Sequence, residues 1–164
     1  MKFLYLHLHG LIRSNSLELG RDSDTGGQTQ YVLELVKSLA NTSEVDQVDL
    51  VTRLIKDSKI DSSYSKEQEF IAPGARILRF QFGPNKYLRK ELFWPYLDEL
   101  TQNLIQYYQK YENKPSFIHA HYADAGYVGV RLSQALKVPF IFTGHSLGRE
   151  KKRKLLEAGL KINQ

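Results

Sequence analysis

The sequence predicts an α/β fold, a doubly wound, mostly parallel sheet with helices on both faces. Two observations carry this. Short apolar runs of strand length alternate with longer segments whose apolar residues recur at helical spacing. Two glycine-bearing loops, Asp22–Gln28 and Thr143–Arg149, each follow a strand-like run and open a helical segment. In an open α/β sheet such loops lie at the carboxyl ends of strands, where backbone N–H groups and helix N-termini face outward towards anions.

The elements follow in order. Phe3–His9 is a short apolar run with period-two character and reads as a buried first strand. After the first glycine loop, Val32, Leu35, Val36, Leu39 and Ala40 form one helical stripe, with Asp24 or Thr25 as candidate cap. Val48–Thr52 reads as the second strand, Lys56–Pro73 as polar irregular chain, and Arg76–Phe80 as the third strand. Gly83-Pro84-Asn85 breaks the chain. The next helix is expected from near Trp94 to Tyr111, with Pro95 tolerated in its first turn and Leu97, Leu100, Leu104 and Tyr108 as its stripe. Phe117–His121, a helix over Tyr127–Leu136, the strand Pro139–Thr143 and a basic helix from Arg149 complete the series.

The chain of 164 residues is 41% hydrophobic and 25% charged, which fits one soluble globular unit. Zero cysteines exclude disulfide staples and thiolate metal sites and agree with a reducing, cytoplasmic setting. No apolar stretch at the start has the length of a signal peptide or a membrane span, so no membrane association is expected. The net charge of +5 is only moderately basic; it suits small phosphorylated metabolites, and no nucleic-acid partner is expected.

Several residues are placed to carry chemistry. Gly26 and Gly27 remove the Cβ atoms that would keep a ligand from the backbone amides of a helix N-terminus. Gln28 adds an amide that both donates and accepts, suited to sugar hydroxyls. His145 and Ser146 follow the fifth strand at the same edge, where an imidazole can meet a substrate hydroxyl or balance charge. His119 and His121 share a strand face by their spacing; packing is expected for His119, and Tyr122 and Asp124 are placed at the ligand edge. No third ligand cluster accompanies this His-x-His pair as a metal site would need. Lys86, Arg89 and Lys90 precede the Trp94 segment, and Arg149–Lys154 is basic except for Glu150. A lysine on the inward side of either cluster can hold a phosphate as a mobile point charge.

These motifs together resemble the sucrose-phosphate synthase family of retaining glycosyltransferases. The resemblance is carried by Asp24–Gln28 with Tyr31–Leu35, by Lys86–Leu97, by His121–Gly126 and by Thr143–Arg149, in that order along nearly the whole chain. It implies the Rossmann-like N-terminal, acceptor-side half of a GT-B enzyme, spanning residues 1–164 and incomplete, with the C-terminal nucleotide-sugar-binding domain outside the chain. The implied reaction transfers glucose from UDP-glucose to fructose 6-phosphate with retention, giving sucrose 6-phosphate and UDP, without a cofactor or metal. Under the same resemblance Gly26 and Gln28 touch the acceptor sugar and Gly27 offers its amide near the donor diphosphate. Lys90 and Lys151 hold the fructose phosphate, Tyr122, His145 and Ser146 line the pocket, and His145 lies closest to the transferred glucose. The chain alone is expected to be inactive. Sucrose synthase, mannosylfructose-phosphate synthase and a noncatalytic sugar-phosphate-binding module stay open as alternatives.

Overall fold

A computed structural model describes residues 1–110, 114–146, 148–157 and 159, apart from the side chains of Arg149, Lys151 and Leu155. Strands β1 (Lys2–Leu6), β2 (Gln47–Arg53), β3 (Gln68–Ala72), β4 (Ala75–Phe80), β5 (Phe117–His121) and β6 (Phe140–Thr143) form one sheet in the order β3-β4-β2-β1-β5-β6. All neighbours pair in parallel except β3 with β4. The helices are α1 (Gly27–Ala40), α2 (Leu97–Lys110), α3 (Tyr122–Leu136) and α4 (Gly148–Glu157).

Alternation along the strands divides the core between two layers, because successive side chains leave opposite faces of a sheet. Phe3, Tyr5, Val48, Leu50 and Ile77 pack with Val32, Leu33 and Val36 of α1. Leu4, Leu6, Val51, Leu78, Ile118 and Ala120 pack on the other face with Leu100 and Leu104 of α2 and Val128 and Leu132 of α3. The doubly wound arrangement is therefore present. The stripe Leu97, Leu100, Leu104 and Tyr108 is the buried face of α2.

Four expectations need correction. Residues 56–73 are not irregular throughout: they contain a 3₁₀ turn at Ser62–Ser65 and the strand β3. This strand is half exposed and antiparallel at the sheet edge, so it lacks the apolar run that marks a buried strand. The first strand stops at Leu6, and His7 to His9 already belong to the rim. Helix α2 starts at Leu97 after 3₁₀ turns at Lys90–Leu92 and Trp94–Tyr96, and Tyr111 lies outside the described residues. Helix α3 starts at Tyr122, directly from β5, rather than at Tyr127.

The chain runs from β1 outward through β2 to the β3–β4 edge, then returns to the other side of β1 for β5 and β6. The strand order thus reverses between β1 and β5. At that switch point the connections leave in opposite directions, and a crevice opens at the carboxyl ends of the strands.

Candidate functional site

All five histidines of the chain gather around this crevice. His7 and His9 follow β1, His119 lies within β5 and His121 ends it, and His145 follows β6. The His7 and His9 rings lie 5.0 Å apart, those of His119 and His121 4.2 Å, and those of His121 and His145 5.1 Å. Among the described residues, no group of three or more His, Cys, Asp or Glu side chains is arranged to hold a metal ion.

Buried polar contacts fix the floor of the rim. His9 Nδ1 donates to Asp124 Oδ2 at 2.8 Å, joining the loop after β1 to the first turn of α3. Gln28 Nε2 donates to His7 Nδ1 at 3.2 Å, which leaves the His7 proton on Nε2, facing Thr29 Oγ1 at 3.5 Å. Full burial holds His7 well below the ordinary histidine range, and the neighbouring histidines His9, His121 and His145 lower it further. Burial likewise pushes His121 down to about 3, with His119 and His145 adding to the effect. His119 is lowered by burial and by His145; its Nε2 stands 2.8 Å from Thr143 Oγ1, and Tyr5 packs against its ring. Packing thus describes His119, with one polar contact added.

The glycine loop is held from beneath by its own acids. Asp22 Oδ1 accepts from the amides of Asp24 and Thr25, each at 2.9 Å, and its Oδ2 accepts from Tyr87 at 2.8 Å. Neither Asp24 nor Thr25 caps α1, which corrects the sequence expectation. The N-cap is Gly26, without a side-chain bond, because both candidates are already engaged. Thr25 Oγ1 accepts from the Leu11 amide at 3.1 Å, and Asp24 accepts from the Lys90 amide at 2.8 Å and from the Lys90 ammonium. Burial opposes ionisation of Asp24, but Lys90 outweighs it and holds the carboxyl below its usual range. Burial likewise opposes the charge on Lys90, and Asp24 with Glu91 overcomes this and raises its pKa. Lys90 is therefore a cation fixed beside the loop. Arg89 reaches the same loop, donating to Ser23 Oγ at 3.1 Å, whereas the Lys86 side chain is exposed.

The lip of the rim is open. A Cβ built on Gly26 or Gly27 would meet nothing within 4 Å, and neither has a positive φ. The chain's own packing does not require glycine there. Opposite stand Tyr122, half-buried with its ring 4.8 Å from His9, and the exposed His145 and Ser146. Tyr122 and His145 both adopt left-handed backbone, φ 76° and 53°. Bulky residues enter that region only where their surroundings hold them, at a cost of about 1–3 kcal/mol each. His145 Nε2 lies 2.8 Å from His121 Nδ1, and Tyr31 packs edge-on against the His145 ring at 5.5 Å. Burial and His9 lower the pKa of His145 as well.

The structure thus brings Gly26, Gly27, Gln28, Lys90, Tyr122, His145 and Ser146 to one edge of the sheet. The side chain of Lys151 lies outside those described; its backbone belongs to α4. Asp124, placed at the ligand edge by the sequence, is fully buried and serves the floor instead. His7 and His9 escaped the sequence reading. Their signal was the repetition of His-x-His at the exits of two strands, His7/His9 and His119/His121, which become sheet neighbours.

Residues 26–161 match the glycosyl transferase 4-like domain. A probable sucrose-phosphate synthase of Vicia faba is 44% identical over 94% of this chain and 17% of its own length, and probable sucrose-phosphate synthase 2 of Arabidopsis thaliana is 43% identical with the same coverage. The chain therefore spans about a sixth of the length of these relatives. The solved sucrose-phosphate synthase of Thermosynechococcus elongatus superimposes with a TM-score of 0.74 at 28% identity, over 93% of this chain and 35% of that one. Its sheet order, its glycine loop at the switch point and the match over most of its length agree: the chain belongs to the glycosyl transferase 4-like domain family.

Proposed function

We propose that this chain is the acceptor-side half of a sucrose-phosphate synthase, a retaining glycosyltransferase that passes glucose from UDP-glucose to fructose 6-phosphate and yields sucrose 6-phosphate and UDP. One observation carries the reading. The open lip at Gly26–Gln28 shares the carboxyl edge of the sheet with Tyr122, His145 and Ser146, and the Lys90 ammonium is held beside it by Asp24. A sugar phosphate asks for that combination, a cation at one end and hydrogen-bonding groups along the other. The sucrose-phosphate synthases named above support the choice of acceptor and donor.

In this reading Gly26 and Gln28 bind the acceptor sugar, and Lys90 with Lys151 holds its phosphate. The Gly27 amide, at the positive end of α1, stabilises charge on the departing diphosphate; preoriented donors of this kind are commonly the largest contribution to catalysis. His145, neutral near pH 7, meets the transferred glucose. No metal takes part, the donor is held by a second Rossmann-like domain outside this chain, and the setting is cytoplasmic.

Titration of the isotopically labelled chain with fructose 6-phosphate, fructose and inorganic phosphate tests this. Weak binding of fructose 6-phosphate is expected, shifting the amides of Gly26, Gly27, Gln28 and Ser146, with fructose alone far weaker. With UDP-glucose added, the chain by itself is expected to form no sucrose 6-phosphate. Equal shifts from fructose and fructose 6-phosphate would remove the phosphate from the proposal and favour a sucrose synthase-like acceptor.

A further inference from the structure

We propose that His121 is a positioning residue: buried beneath His145, it holds that ring in the tautomer whose Nδ1–H faces the rim as a hydrogen-bond donor. What the donor meets rests on the sugar-phosphate reading above; the tautomer itself rests on the geometry of two rings. His121 is fully buried, its Nδ1 stands 2.8 Å from His145 Nε2, and its own Nε2 has no hydrogen-bond partner.

A neutral imidazole carries one N–H and one lone pair, so the pair has two arrangements. If His145 Nε2–H donates to His121 Nδ1, the His121 proton sits on Nε2 and is stranded in the core. The rings of Tyr5 and His119 are inclined to His121 by only 18° and 31°, so neither turns its π-face to an N–H in the plane of His121, and Tyr31, which is steeply inclined to it, stands 6.1 Å away between ring centres, beyond the reach of an N–H···π contact. If instead His121 Nδ1–H donates to His145 Nε2, the group left over is a bare lone pair. An orphaned buried N–H is a rarer defect than an under-satisfied buried acceptor. The second arrangement is therefore the native one.

The consequence reaches the surface. With Nε2 of His145 accepting, its proton lies on Nδ1, which has no partner among the described residues and belongs to an exposed side chain. The left-handed backbone of His145 accompanies this contact. A donor at that point can meet an anionic oxygen, which a lone pair would repel; the alternative tautomer reverses the selectivity of the position.

Long-range ¹H–¹⁵N correlation spectra of the ¹⁵N-labelled chain at pH 7.5 test the proposal, with the imidazoles assigned by replacing the histidines one at a time. Protonated-type shifts are expected at Nδ1 of both His121 and His145, and bare-type shifts at both Nε2. In His121→Leu nothing holds the His145 proton, and its Nδ1 signal moves towards the bare range. In His121→Asn, whose Nδ2–H stands in for the lost Nδ1–H, the native His145 pattern returns. A wild-type His145 with its proton on Nε2, or an unchanged His145 in His121→Leu, overturns the proposal; the wild-type spectrum decides even if a variant fails to fold. A failure of sugar-phosphate binding would leave these ring patterns intact, so the two readings fail separately.

Discussion

Gly10, in the floor of the rim, lies in the connection from β1 to α1, and Gly27, in its lip, is the first residue of α1, yet a Cβ at the two positions would meet opposite surroundings. At Gly10 it would overlap the backbone oxygen of Asp24, on a backbone with φ of 75°; at Gly27 it would meet nothing within 4 Å. The histidines divide in the same way. His7 and His121 are fully buried, while His145 is exposed. Internal packing dictates the floor. The same packing leaves the residue types of the lip unconstrained.

Acid gives the largest expected effect, because it attacks the floor. His7 and His121 are held below their ordinary value of 6.5, His121 to about 3. Between those values the unfolded chain binds more protons than the folded one, so stability rises with pH and is lost on acidification below about 6.5. The slope for each approaches about 1.4 kcal/mol per pH unit once the unfolded histidine is protonated, so His121 is expected to cost about 2 kcal/mol between pH 7.5 and 5, and His7 acts in the same direction. Urea unfolding at pH 7.5, 6 and 5 measures it; a flat profile would mean that the floor opens to solvent.

Gly10→Ala comes next. The left-handed backbone and the overlap with Asp24 together cost about 3 kcal/mol, read as a drop in the urea midpoint. A loss below about 1 kcal/mol would show that the loop gives way, and the floor would then differ little from the lip.

Gly27→Ala is the smallest in stability and sharpens the contrast. At the first position of α1 an alanine is accommodated without a clash, and the chain is expected to gain at most about 1 kcal/mol. Fructose 6-phosphate binding, followed by the same amide shifts, is expected to weaken because the new Cβ occupies the open space. Unchanged binding with unchanged stability would leave the lip glycines without a ligand role.

Much of this was legible in the sequence. Five of the six strands announce themselves as largely apolar runs; four lie inside the sheet, where parallel strands buried on both faces need such runs, and the fifth, β6, is an apolar edge strand with Ile141 and Phe142 exposed. β3 did not, because an antiparallel edge strand that begins with Gln68 and Glu69 carries half its surface in water. The loop at Gly26–Gln28 and the residues after β5 and β6 were found from their positions after strands. The partners of Asp24 were not: Lys90 lies 66 residues away, and only the tertiary fold shows that a carboxylate beside a helix start is spent on a lysine rather than a cap. The His7 and His9 contacts were hidden for the same reason, since local spacing cannot say which strand becomes the neighbour of which.

The bond from His9 to Asp124 closes the base of the crevice as a rivet joins two plates. It ties the exit of β1 to the start of α3, whose lateral separation the parallel pairing of β1 with β5 already sets. The two walls cannot drift independently, so the mouth behaves as a fixed gauge.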